Sequence, residues 1–172
     1  MERRIKKIKL TKEGKIHITY EQANSQGTWD EYSMTCSDRA KPSFYDAIDK
    51  LREEVRQICE LPGGWDDKLT IRGISISWAL DVMGATITAL MKLLKSSAPL
   101  VLNTPHKTEE FYSEQGDPDS LLSGDCVEVL HKVFKECEAY IDGEREQGGL
   151  FQGSGIESVT FTHGDRTVEL RA

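Results

Sequence analysis

Long apolar runs are missing from this sequence. No stretch approaches the roughly 20 residues that a helix needs to cross a bilayer, which argues against an integral membrane protein, and no membrane partner is expected. The opening Met1-Glu2-Arg3-Arg4-Ile5-Lys6-Lys7 has no apolar signal core, so the expected location is the cytoplasm. Clustered metal-type cysteines are also missing. The four cysteines, Cys36, Cys59, Cys126 and Cys137, form no Cys-x-x-Cys pair and sit at no zinc-finger spacing from a histidine. They read as small apolar residues packed in a reducing compartment, and no metal or other cofactor is expected. The sequence contains no Gly-x-x-x-x-Gly-Lys-Ser/Thr loop, Gly-x-Gly-x-x-Gly turn, His-Glu-x-x-His helix or Gly-x-Ser-x-Gly elbow. Internal repeats and low-complexity tracts are absent as well.

What is present is a chain of 172 residues and 19.4 kDa, 38% hydrophobic and 30% charged. A chain of this size buries roughly 70% of its unfolded surface without help from disulfides or metal. Net charge is -7, unevenly spread. Residues 1–15 hold seven basic side chains and two acids, whereas residues 108–147 hold 12 acids and three bases. An acidic body repels a nucleic-acid backbone and a basic edge attracts it. The alternative is that the two ends simply attract each other.

Hydrophobic spacing gives the fold. Residues 4–10, 14–21 and 31–36 alternate as three strands, joined by turns at Lys12-Glu13-Gly14 and Asn24-Ser25-Gln26-Gly27, an antiparallel meander. Phe44, Ile48, Leu51, Val55 and Ile58 form one helical stripe, started at Pro42-Ser43 and stopped at Leu61-Pro62-Gly63-Gly64. Over residues 68–80 the inward parity switches at Gly73, the pattern of a β-bulge. Residues 84–94 fit a helix or a strand; the Thr86-Ile87-Thr88 run and the Ser96-Ser97-Ala98-Pro99 turn select a strand paired with Leu100-Val101-Leu102. A second helix starts with Asp117 as N-cap and Pro118 at its first position, and Gly143 ends it. Its buried stripe is Leu122, Cys126, Val129, Val133, Cys137 and Tyr140 or Ile141. Cys126 and Cys137, eleven residues apart, differ by about 20° around a helix and face one side.

The expected architecture is α+β, a largely antiparallel sheet packed by two amphipathic helices. Residues 1–147 form one domain, 148–155 a glycine-rich linker and 156–172 a C-terminal β-hairpin.

Three segments carry candidate chemistry. In the first strand Arg3, Arg4, Lys6 and Lys7 either protect a sheet edge from unwanted pairing or, with Tyr20, Trp29 and Tyr32, form a nucleic-acid stripe. In the loop Pro62–Asp67, Trp65 either plugs the sheet edge or stacks on a ligand, with Asp66 beside it. In Asn103–Lys107, the polar groups of Asn103, Thr104, His106 and Lys107 either contact an anion or nucleotide or cap a turn. His106 is the best general-base candidate, but the sequence shows no nucleophile beside it.

The stretches Phe44–Leu61, Gly84–Leu90 with Pro99–Lys107, and Tyr140–Arg145 resemble uncharacterised small proteins of bacteriophages and prophages. The resemblance spans residues 1–147 and implies a phage-encoded protein in the host cytoplasm, handling nucleic acid or blocking a host defence. It transfers no site residues.

The leading expectation is therefore a non-enzymatic binding protein for single-stranded nucleic acid or for the host or phage proteins that handle it. The alternative is an inhibitor or a sponge for a small nucleotide, and a third reading is a small enzyme using His106. An edge strand and a hairpin on a linker allow a homo-oligomer.

Overall fold

The computed structural model describes residues 2–111 and 114–146 in full, and the backbone of residues 158–163 and 166–171. The strands are β1 (Arg3–Leu10), β2 (Ile16–Ala23), β3 (Trp29–Cys36), β4 (Leu69–Ala79), β5 (Val82–Met91), β6 (Leu100–Asn103) and β7 (Lys107–Thr108). They build one antiparallel sheet in the order β3-β2-β1-β4-β5-β6, with β7 also pairing β5. The helices are α1 (Pro42–Asp49), α2 (Leu51–Ile58) and α3 (Gly124–Ile141). The fold is α+β, as the hydrophobic spacing predicts. β8 (Ser158–His163) and β9 (Arg166–Arg171) pair with each other as the terminal hairpin. The glycine-rich linker lies outside the described residues.

All three helices pack on one face of the sheet. Ile5, Ile8, Ile16, Ile18, Ile71, Ile74 and Ile87 point into that layer and meet Phe44, Leu51, Val55, Leu130, Val133 and Cys137 from the helices. Each such side chain contributes roughly 1.5–3 kcal/mol when fully buried. Two bulges make this face continuous. Ile5 and Ile8 are three residues apart, so strict alternation would send them to opposite faces. The register shift between Ile5 and Lys7 leaves Lys6 as the extra residue and returns both isoleucines to the core. Beside it the Trp78 indole donates to the Ile5 carbonyl at 3.0 Å. The second shift lies between Ile71 and Gly73, with Arg72 as the extra residue, which is the parity switch read at Gly73. Here glycine eases a close approach: a Cβ on Gly73 would stand 3.3 Å from the Ile8 carbonyl oxygen of β1, a tight contact that would push the two strands apart by a few tenths of an ångström.

Four expectations need correction. β1 is not an edge strand; β4 pairs it through Lys7, Ile8 and Lys9, on the side away from β2. A meander places its first strand at an edge until a distant strand arrives, and that pairing leaves no local signal. The first helix is two segments, α1 and α2, meeting at Lys50. Asp117 caps only a short 3₁₀ turn, Pro118–Ser120. The Leu122 amide then donates to the Thr108 carbonyl at 2.8 Å, holding the chain extended until Ser123 starts α3. Ser123 accepts from the Cys126 amide at 3.0 Å and donates to the buried Glu54 of α2 at 3.0 Å, so one hydroxyl caps α3 and ties it to α2. Finally, α3 buries Leu130 and Phe134, while Val129 is only partly covered.

Cys126 and Cys137 are both fully buried, as their spacing predicts. Burial pushes the Cys126 thiol up to about 12 and raises Cys137 as well, so both stay protonated and weakly nucleophilic at neutral pH.

Candidate functional site

The cations of β1 divide into paired and unpaired groups. Arg3 reaches Asp142 at 2.7 Å and donates to the Gln22 side chain at 3.1 Å, with Tyr20 5.8 Å from its guanidinium. Arg4 contacts Asp81 at 2.5 Å and lies 4.2 Å from the Trp29 ring centroid and 5.4 Å from that of Trp78. Lys6 donates to Glu31 at 2.8 Å and Glu21 at 3.0 Å, and these carboxylates, Glu31 first, raise its pKa. Tyr20 and Tyr32 stack on each other with centroids 5.5 Å apart. Thus three of the four cations expected to form a stripe already have acidic partners, and two of the three aromatics expected with them lie against the arginines. Lys7 is exposed and has no ion pair among the described residues.

Register shows where Lys7 sits. The sheet face away from the helices carries two rows of cross-strand neighbours. One runs Thr35, His17, Lys9, Gly73, Thr88, Asn103; the other runs Ser33, Thr19, Lys7, Ser75, Thr86. Neither row contains an apolar side chain larger than a methyl group. Lys7 and Lys9 stand near the middle, flanked by hydroxyls and by His17, whose Nδ1 lies 2.7 Å from the Thr35 hydroxyl. This arrangement offers hydrogen bonds and positive charge over a broad, open surface.

Toward the β5–β6 connection the same face deepens into a concavity of about 330 Å³. Thr70 and Arg72 contribute from the start of β4, Lys68 and Lys92 from the residues just before β4 and just after β5, and Ser96 and Ser97 from the connection. None of the three cations has an ion pair among the described residues, although Lys68 stands 4.1 Å over the Trp65 ring. The Arg72 Nε is buried and lacks a hydrogen-bond partner. Sequence reasoning missed this cluster. Its signal was the alternation Lys68, Leu69, Thr70, Ile71, Arg72, in which the two apolar residues face the core and the three polar ones face out.

The other candidates are placed as follows. Trp65 turns inward and packs partly buried against the core, with Asp66 half-buried beside it. Arg56 is held charged mainly by Glu53, and Asp66 adds to that effect. Trp65 also walls an apolar recess of about 460 Å³ with Met91, Leu93 and Leu94, adjoining the basic concavity through Lys68 and Lys92.

The Asn103–Lys107 segment completes the edge of β5 between β6 and β7. Buried Thr104 accepts from the Ile87 amide through its hydroxyl and donates its own amide to the Ile87 carbonyl, both at 2.9 Å. Asn103 accepts from the Thr88 hydroxyl at 2.7 Å, and the Lys107 ammonium donates to the Asp119 carbonyl. Asn103, Thr104 and Lys107 therefore serve the turn. His106 does find a hydroxyl partner that the sequence hides: its Nε2 lies 2.8 Å from Ser77 Oγ, across Gly84. Both side chains are exposed, and among the described residues no carboxylate bonds to the imidazole to orient it.

Among the described residues no group of His, Cys, Asp and Glu gathers in a metal-binding arrangement, and no helix is long and apolar enough to cross a membrane. No protein-family model, curated protein or solved structure matches this chain.

Proposed function

We propose that the chain is a non-enzymatic binding protein that holds single-stranded nucleic acid on its open sheet face, in the phage setting that the resemblance implies. The observation that carries this reading is the run of cations from Lys7 and Lys9 to Lys68, Arg72 and Lys92 along one face, none with an ion pair among the described residues. In a chain of net charge -7, most cations with a nearby acid are already neutralised, so an uncompensated row is the surface most attractive to phosphates. The two central rows carry hydroxyls and, besides the His17 imidazole, no aromatic ring, which favours sugar and phosphate contacts over base readout. Binding is therefore sequence-tolerant, and it does not depend on Arg3.

Fluorescence anisotropy with a labelled dT oligomer tests this. Affinity falls with salt at a log–log slope of about -2 to -4, the value for roughly three to five phosphate contacts on a single strand. Lys7→Glu combined with Lys9→Glu weakens binding about tenfold or more, whereas Arg3→Glu lowers stability and leaves affinity near that of the parent. Salt-insensitive binding, or an unchanged affinity in the double variant, removes the reading.

A further inference from the structure

From the concavity at the end of this face we infer that the protein has a discrete site for a nucleoside phosphomonoester, formed by Lys68, Arg72 and Lys92 with Trp65 next to it. The inference deepens the nucleic-acid reading by naming a terminal phosphate, and the site also accepts a free mononucleotide of the same chemistry.

Charge is the first argument. An internal phosphodiester carries one negative charge, which a single lysine balances. Three cations lining one concavity, without ion pairs among the described residues, match a phosphomonoester, whose charge near neutral pH is about -1.5 to -2. The hydroxyls of Thr70, Ser96 and Ser97 add hydrogen-bonding groups around the same space. Ser96 donates to the Ala98 carbonyl at 3.1 Å, which folds the connection into a wall and leaves its oxygen able to accept.

The bulge supplies the second argument. As the extra residue between Ile71 and Gly73, Arg72 leaves the regular alternation of β4, and its Nε is buried with no acceptor. A buried donor without a partner costs roughly 1–3 kcal/mol. Such a cost is tolerated where a ligand supplies the acceptor: Arg72 lines the concavity, and once its side chain turns toward a bound phosphate the Nε edge of the guanidinium meets the phosphate oxygens in bidentate geometry.

Neighbourhood supplies the third. The recess of about 460 Å³ beside the concavity is walled by Trp65, Met91, Leu93 and Leu94, an apolar and aromatic surface. A cationic concavity sharing Lys68 and Lys92 with an apolar recess matches a molecule charged at one end and planar and apolar at the other. A nucleotide has that division; inorganic phosphate and a nucleoside each have only half of it.

Calorimetric titration of the full chain with AMP, adenosine and inorganic phosphate, beside anisotropy with 5′-phosphorylated and 5′-hydroxyl dT oligomers, tests the site. AMP binds about tenfold or more tightly than phosphate, and adenosine gives no measurable heat. The 5′-phosphorylated oligomer binds about fivefold more tightly than its hydroxyl counterpart. Arg72→Gln removes both advantages with the melting temperature unchanged or raised, because the substitution breaks no hydrogen bond at Nε and removes a buried donor that lacks a partner. Lys92→Gln repeats the test should the first variant lose its fold. If AMP binds and neither oligomer does, the site stands, its ligand is the free mononucleotide, and the nucleic-acid reading falls. If both oligomers bind equally and AMP does not bind, the site falls and the nucleic-acid reading stands. AMP binding no tighter than phosphate also overturns the inference, since the apolar recess then contributes nothing.

Discussion

The two faces of the sheet solve opposite problems with the same strands. On the helix side, isoleucines from β1, β2, β4 and β5 are sealed beneath α1, α2 and α3. On the other side the same strands present lysine, serine and threonine to water. Charge follows this division only in part. Several cations on and beside the helices have acidic partners, Arg52 with Asp49, Arg56 with Glu53, Lys132 with Glu128, and Arg39 and Lys41 with Glu146 and Glu144, whereas Lys50 and Lys135 have no ion pair among the described residues. Those of the concavity have none among the described residues. Exposed ion pairs contribute little to stability, so pairing matters here mainly because it decides which cations remain available to a partner.

The largest expected contrast tests that division through stability. Leu130→Ala empties a fully buried site under the sheet and lowers stability by about 2–5 kcal/mol. Thr86→Ala, on the open face of β5, changes it by no more than about 0.5 kcal/mol. Chemical denaturation of both variants measures the difference. A similar loss in the two would mean that the open face is covered in solution, by a second copy or another segment.

Much of this contrast is legible in the sequence. The stripe Phe44, Ile48, Leu51, Val55 identifies a helix face because a period near 3.6 has no other explanation over so many residues. The parity switch at Gly73 identifies a bulge for a similar reason, since it preserves one buried face. Non-local relations were not legible. Arg4 meets Asp81 and Arg3 meets Asp142, partners 77 and 139 residues away in sequence. Charge counts along the chain therefore identified a basic strand without revealing that its first three cations are neutralised. The concavity was hidden differently. Thr70 and Arg72 lie on one strand and Lys68 just before it, whereas Lys92 and the serines arrive only through the pairing of β5 with β4. The contact of Ser77 with His106 depends on the same pairing and on the crossing of residues 103–107.

A second, smaller contrast appears in alkali, because only the helix side buries thiols. The Cys126 thiol is moved from its ordinary value near 9 to about 12 by burial, with Glu54 adding to the shift. Below pH 9 both folded and unfolded thiols are protonated and contribute no pH dependence. Above it the unfolded chain loses its proton first, so stability falls as pH rises from about 9 toward 12. Cys137 acts in the same direction. Cys126→Val keeps an apolar side chain and removes the ionisation. Its unfolding free energy, measured by chemical denaturation, should decline less between pH 9 and 11 than that of the parent, by a margin on the order of 1–3 kcal/mol. An identical decline would show that unfolding in alkali is governed elsewhere, with Tyr140, also raised to about 12, the next group to replace.

The smallest effect separates paired from unpaired cations within β1 itself. Arg4 lies against Trp29 and Trp78 and contacts Asp81, whereas Lys7, three residues on, is exposed and unpaired among the described residues. Arg4→Ala loses a cation–π contact together with the packing of its aliphatic stem, a cost of about 1 kcal/mol. Lys7→Ala removes no folded-state contact described here and leaves stability within about 0.5 kcal/mol. In binding the ranking reverses: Lys7→Ala lowers the salt slope for the dT oligomer by about 0.7, and Arg4→Ala leaves it unchanged. Measuring both quantities on both variants matters more than either alone, because a lysine that merely solubilises the face would move neither. If Arg4→Ala moved the slope and Lys7→Ala did not, the nucleic acid would lie at the Trp29 end of the sheet, and the assignment of Lys7 and Lys9 as its centre would be wrong.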